Sequence, residues 1–249
     1  MRSDTRTTYQ LSPSSSTDRN ERAPYQTDPL NPKTFTALLS EGGNDILFSL
    51  LELPDAPVLA WRQTSATTHG RVQLHRPFVD QRRLWTYLPA GEITAPLPLL
   101  LVFDGRLYKD MLRLPEMLDY LIGEGEIEPV FVLLVDNQDR SELQCDAGFA
   151  GYIADQVLPW LRSAYPVTSD PSQSVVYGSS LGGLAATFLA YRHPQVFGSV
   201  FSQTGWFRWR PDGDPAPLSV CVRIAGARWP YPGCLPLPAE TRHRHRCAR

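Results

Sequence analysis

The stretch "SVVYGSSLGGLAATFLAYRHP", residues 174–194, holds the residues best suited to do chemistry. Within it Gly178, Ser180 and Gly182 match G-x-S-x-G, the spacing at which a serine stands on a sharp turn between a strand and a helix. The apolar run before the motif reads as a buried strand and the Ala-rich run after it as a helix, which is the context the motif needs. On such a turn the Ser180 hydroxyl is lifted above the carboxyl edge of a sheet and is a candidate nucleophile for acyl transfer. The amide of Leu181, at the helix start, can point at a developing oxyanion. A second amide would come from the loop after an earlier strand. "LLLVFDGRLY" ends its strand at Asp104-Gly105, and Gly105 lets the backbone come close to a substrate.

A serine nucleophile needs a base that a third group orients. The chain order on this kind of fold is serine, acid, histidine, so the base is sought after Ser180. His193, His243 and His245 are the histidines there. His193 closes the helix that follows the serine and reads as a packing residue. His243 and His245 sit in "RHRHRC", flanked by arginines, where positive charge favours the neutral imidazole a base requires. That segment reads as a disordered basic tail. His69 and His75 precede the serine, on the opening strands, and are poor candidates.

The elements that must position these groups follow from periodicity. "KTFTALLSEGGND" reads as a short helical segment, and "ILFSLLELPDAP" is an apolar run. "GRVQLHRPF" and "RRLWTYLP" read as an antiparallel pair at a sheet edge. "PLPLLLVFDG", "EPVFVLLVDN", "SQSVVYG" and "FGSVFSQTG" are runs of the kind seen in strands covered on both faces. Between them, Met111, Leu114, Leu118, Leu121 and Ile122 recur at helical spacing, as do Phe149, Ile153, Val157, Leu158 and Leu161. Strands alternating with helices predict an α/β, α/β-hydrolase-like fold: a mostly parallel, doubly wound sheet with an incomplete C-terminal part. The domain reading is an arm or linker over 1–33, an α/β-hydrolase-like domain over 34–210, and an irregular tail over 211–249.

Bulk properties exclude several classes. The 249 residues carry a formal net charge of -2, which gives no electrostatic reason to expect nucleic acid as a partner. No apolar run approaches the ~18 residues of a membrane span. "MRSDTRTTYQLSPSSSTDRNER" lacks the apolar core of a secretory signal, so export is not expected. None of Cys145, Cys221, Cys234 and Cys247 falls in a C-x-x-C pair, so neither a zinc site nor a disulfide framework is suggested, and a reducing cytoplasm fits. No metal or other cofactor is expected.

The ordered succession "YQTDPLNP", "LELPDAP", "RRLWTYLP", "LLLVFDG", "VFVLLVDNQDRSELQC", "VLPWLRSAYP", "VVYGSSLGGLAA" and "HPQVFGSVFSQTGWF" resembles the enterochelin (enterobactin) esterase family over about residues 24–210. The resemblance implies a cytoplasmic hydrolase that cuts the trilactone backbone of ferric catecholate siderophores, with Ser180 as nucleophile. It implies that Arg140, first in "RSEL", lines the site and meets the anionic substrate, with Glu142 ordering its neighbourhood. A guanidinium suits a compact, multiply charged anion. Arg106 and Trp206 join Arg140 and Glu142 as substrate-binding candidates, and Trp206 and Phe207 could pack against catechol rings.

Two departures accompany the resemblance. Family members are longer at the N-terminus, and they continue past the nucleophile through an acidic strand and a "GHD"-type motif. This chain reads as truncated at both ends. After Phe201 its acids are Asp212, Asp214 and Glu240, and its tail is loaded with Arg, Pro, Ala, Gly, Cys, His and Trp. With only Lys33 and Lys109 as lysines, this composition suggests a GC-rich gene shifted out of frame near residues 211–222. Alternatives to an active siderophore esterase are an impaired fragment that binds ligand and a general carboxylesterase.

Overall fold

The structure, a computed structural model, describes residues 2–13, 24–37, 46–63 and 69–210. The reading of 211–249, with His243 and His245, lies outside the described residues. The chain divides into two compact units. One comprises Met1–Val72, Tyr87–Ala90 and Gly105–Pro129, the other Gln73–Thr86, Gly91–Asp104 and Val130–Arg249.

The first unit holds a three-stranded antiparallel sheet of β1 (Arg6–Tyr9), β2 (Thr34–Ala37) and β3 (Ile46–Glu52), in the order β1-β3-β2. Arg6 stands opposite Glu52 and Ala37 opposite Ile46. Residues 6–9, within the stretch read as an arm, thus belong to a sheet. The helix expected at "KTFTALLSEGGND" is instead strand β2 over Thr34–Ala37, and residues 38–45 lie outside the described ones. The reason is local: "TFTA" alternates β-branched and aromatic side chains, and β3 supplies a ladder for it. The same unit contains α1 (Ala60–Gln63) and α2 (Leu114–Gly123). Asp119 of α2 is buried and accepts hydrogen bonds from the Gly70 amide (2.7 Å) and the Tyr87 hydroxyl (2.8 Å), with His69 Nδ1 at 3.2 Å. That carboxylate is well satisfied, as a buried charge must be.

A six-stranded sheet runs β4-β5-β7-β6-β8-β9. Its strands are β4 (Arg71–His75), β5 (Leu84–Leu88), β6 (Leu99–Val102), β7 (Phe131–Val135), β8 (Ser174–Ser179) and β9 (Ser199–Gln203). β6 pairs in parallel with β7 and β8, and β8 with β9. The expected mostly parallel sheet is therefore present. The run "FVLLV" of β7 is buried at every residue, as a central strand covered on both faces must be. Each such Val, Leu or Phe contributes roughly 1.5–3 kcal/mol on burial.

The second unit carries α3 (Ala147–Tyr152), α4 (Leu158–Ala164) and α5 (Leu181–Arg192). The single amphipathic helix expected from Phe149 to Leu161 is α3 and α4 joined by a π-turn at Ile153–Val157. Asp146 caps α3 by accepting the Phe149 amide at 2.8 Å. α5 buries Leu181 to Ala186, Leu189 and Ala190, and its small residues let it lie close to the strands. Among the described residues, no helix is long and apolar enough to cross a membrane.

Candidate active site

Ser180 follows β8 directly and precedes the first residue of α5, with φ 54° and ψ -118°. A non-glycine residue there is strained, at a cost of about 1–3 kcal/mol, and persists only where its surroundings hold it. The surroundings do. The Ser180 amide donates to the Gln203 carbonyl (3.0 Å), and its own carbonyl accepts from Leu184 (3.1 Å) and Trp206 (2.9 Å). The turn is tight enough that a Cβ on Gly178 would overlap the Gly182 carbonyl, so glycine is required at 178. The Ser180 side chain is exposed, and its hydroxyl has no hydrogen-bond partner among the described residues.

Leu181 opens α5 and is buried. The Leu184 amide makes the first i→i−4 bond, to Ser180, which leaves the amides of Leu181 to Gly183 without a partner inside the helix. Donors of this kind beside a serine hydroxyl are what an oxyanion requires. Gly105 is buried and follows Asp104 at the end of β6. Arg106 lies at the start of the π-turn Leu107–Met111, its Nε 3.9 Å from Asp110 Oδ2.

The "RSEL" segment is a 3₁₀ turn, Arg140–Leu143, after β7. The Asp139 side chain caps it by accepting the Ser141 amide at 2.7 Å. Arg140 is exposed. Glu142 is held by Arg82, whose Nη2 and Nη1 donate to Oε1 (2.6 Å) and Oε2 (2.9 Å), and it also accepts the Gln138 amide (3.0 Å). Arg82 is only 5% exposed. It reaches the Asp136 carbonyl (2.8 Å) and lies over the rings of Phe149 and Tyr152. Burial pushes its pKa down, but the hydrogen bond and charge of Glu142 outweigh this and the net direction is up. Sequence reasoning missed Arg82; the pair "RR" before a strand was its only trace. Trp206 is half exposed, and its amide holds the nucleophile turn.

Asp104 was also missed. It has φ 54° at the end of β6, and a side chain on Gly182 would come within 2.9 Å of its Oδ2. Burial pushes its carboxyl up, Arg140 pulls it down and Asp136 adds to the rise; the net direction is up. Thr204, just past β9, has φ 48°, so three strands of the sheet end in residues with positive φ.

No described histidine of this unit stands beside the serine. His193 closes the far end of α5, whose 12 residues at ~1.5 Å each span about 18 Å. His75 is on β4, four strands from β8, or about 19 Å at ~4.8 Å per strand. Its Nε2 lies 3.0 Å from both the Thr86 and Tyr165 hydroxyls. Among the described residues, no cluster of His, Cys, Asp or Glu could hold a metal ion.

A strained serine between a central parallel strand and a buried helix, in this strand order, defines the α/β-hydrolase type of fold. Residues 78–219 match the model of the Esterase family ("Putative esterase"), and the chain belongs to that family. It is 36% identical over 168 residues to the iron(III) enterobactin esterase of Dickeya dadantii, covering 61% of this chain and 39% of that protein. It is 31% identical over 176 residues to the iron(III) salmochelin esterase of Escherichia coli O6:H1, covering 68% and 43%. The chain thus spans less than half the length of these curated relatives. The crystal structure of the Shigella flexneri enterobactin esterase in the presence of enterobactin superposes with a TM-score of 0.72 at 24% identity, covering 90% of this chain and 62% of that one. That likeness is one of fold.

Proposed function

We propose that the chain is a serine esterase that hydrolyses the ester (lactone) bonds of ferric catecholate siderophores such as enterobactin, releasing iron. The observation that carries this reading is the strained, exposed Ser180 at the head of α5, in a chain whose relatives are iron(III) enterobactin and salmochelin esterases. The Ser180 oxygen adds to the ester carbonyl, and the amides of Leu181 and Gly105 stabilise the oxyanion. The ester C–O bond then breaks, leaving an acyl-serine and an alcohol that takes up the serine proton. Water attacks the acyl-serine, releasing the carboxylate and restoring Ser180. Arg140 meets the anionic substrate, while Arg106 and Trp206 line its path, and Glu142, held by Arg82, orders the turn that carries Arg140. Turnover that depends on Ser180 would make His243 or His245, which lie outside the described residues, the histidines to test as its base. The cysteine usage supports a cytoplasmic setting.

A second reading is favoured by the distances of His75 and His193 from Ser180: a fragment that binds the siderophore but turns it over poorly. A triad enzyme without its base retains acceleration of about 10³–10⁴ over water. Hydrolysis of ferric enterobactin by the purified protein, followed by mass spectrometry beside Ser180→Ala, decides between them. Linear trimer and smaller products that vanish in the variant establish the esterase. Equal, background-level traces from both proteins establish the fragment.

A further inference from the structure

Asp104 takes no part in the mechanism above, yet its place is unusual. The parallel register pairs Val102 with Tyr177 on one side and with Leu134 on the other. Extended two residues, it sets Asp104 level with Ser179, next to the nucleophile, and with Asp136 at the end of β7. Strand spacing makes each step about 4.8 Å. The carboxylate lies against Gly182 in the first turn of α5. Arg140, in the turn that follows β7, is within electrostatic reach. Among the described residues, neither the Asp104 carboxylate nor the Arg140 guanidinium makes a hydrogen bond or a direct ion pair. The contrast with the neighbouring charges is sharp: Arg83 closes on Asp136 at 2.5 Å and Arg82 on Glu142 at 2.6 Å.

We propose that Asp104 is a specificity-determining residue: its carboxylate is an unclosed counter-charge to Arg140 beside Ser180, and it competes with an anionic substrate for that cation. A group with many negative charges that enters beside Arg140 must also approach Asp104. The carboxylate therefore sets a threshold that a weakly charged ester does not feel and a polyanion overcomes only by displacing the pairing. The charged groups that face Asp104 are Arg140 and Asp136, the latter held by Arg83, while α5 presents the Cα of Gly182. Burial and Asp136 both favour the protonated carboxyl, and Arg140 opposes them. An anion that draws Arg140 away thus promotes proton uptake at Asp104.

The choice of ligand rests on the siderophore-esterase reading; the pairing does not. One ligand-free measurement tests the pairing: a carboxyl-carbon NMR titration of Asp104 in the full chain and in Arg140→Gln. The Asp104 midpoint moves up in the variant if the pairing is real, and an unmoved midpoint overturns the proposal. Fluorescence-quenching titrations of Ser180→Ala and Ser180→Ala/Asp104→Asn then use two forms of one scaffold. The ferric tris-catecholate of enterobactin is a trianion, and the metal-free trilactone is neutral near pH 7. The Asp104→Asn change should tighten the ferric complex about five- to tenfold and leave the metal-free form unchanged. An equal change for both forms, or weaker ferric binding, overturns the proposal. Binding of neither form to any variant overturns both the siderophore reading and the role of Asp104 in choosing that ligand, while the NMR result still decides the charge coupling between Asp104 and Arg140.

Discussion

The Arg82 guanidinium grips the Glu142 carboxylate through two hydrogen bonds, 2.6 Å and 2.9 Å, and the grip bridges 60 residues of chain. It fastens the segment before β5 to the "RSEL" turn that carries Arg140. Removing one member of a buried pair leaves the other charge uncompensated, at about 3–5 kcal/mol. Arg82→Leu should therefore lower stability to denaturant by about that amount, and Glu142→Gln by less, because part of the hydrogen bonding survives. Urea titration of the three proteins is the check. Equal stability of Arg82→Leu and wild type would remove the grip from the account.

Ser180 is costly where it stands. Ser180→Ala should abolish ester hydrolysis with stability changed by less than about 1 kcal/mol, since alanine keeps the strained φ. Ser180→Gly should be equally inactive and more stable than wild type by about 1 kcal/mol, because glycine adopts φ 54° readily. Paired melting curves and rate measurements test both halves.

Gly178 has no room for a methyl group, because its Cβ would overlap the Gly182 carbonyl. The obstacle is backbone in the first turn of α5, which cannot swing aside as a side chain would. Gly178→Ala should cost about 3 kcal/mol or prevent folding, at the upper end of overpacking penalties. Circular dichroism and a denaturation midpoint give the answer.

The pH dependence of stability carries the mark of Asp104. Its carboxyl is pushed up by burial, so the folded chain holds this proton to higher pH than the unfolded chain. The contribution is fully present below the ordinary aspartate range and is lost as pH rises through the folded value. Asp104→Asn removes that loss. The variant should melt higher than wild type at pH 8, with the gap closing toward pH 4. A constant gap across that range would show that Asp104 acts by shape alone.

Arg140→Gln should raise KM for a ferric siderophore about tenfold or more and leave a neutral aryl ester untouched, as expected for a charge that recognises charge. Added salt should mimic the substitution in the wild type and have little effect on the variant.

How far the sequence led depended on the range of the interactions. β6, β7, β8 and α5 were readable because each is a continuous apolar or Ala-rich run whose burial fixes its state. Ser180 was readable because the turn it needs demands glycines at fixed offsets. β2 was misread because "KTFTALL" balances the two periods, and a partner strand nine to fifteen residues away decides between them. Asp104 carries no local signature, and Arg82 none beyond the pair "RR" before a strand. Their meaning comes from Glu142, Asp136, Arg140 and Gly182, which only the folded sheet brings near.

The positive φ values of Asp104, Ser180 and Thr204, at the ends of β6, β8 and β9, have a practical consequence for laboratory evolution. Glycine at any of the three would relax the backbone, so a screen for heat tolerance alone would be drawn to these positions first. At 180 it would delete the nucleophile, and at 104 the carboxylate. Descendants that took glycine at 180, selected without an activity gate, would accumulate as well-behaved, inert proteins, whereas those changed only at 104 or 204 would keep their nucleophile.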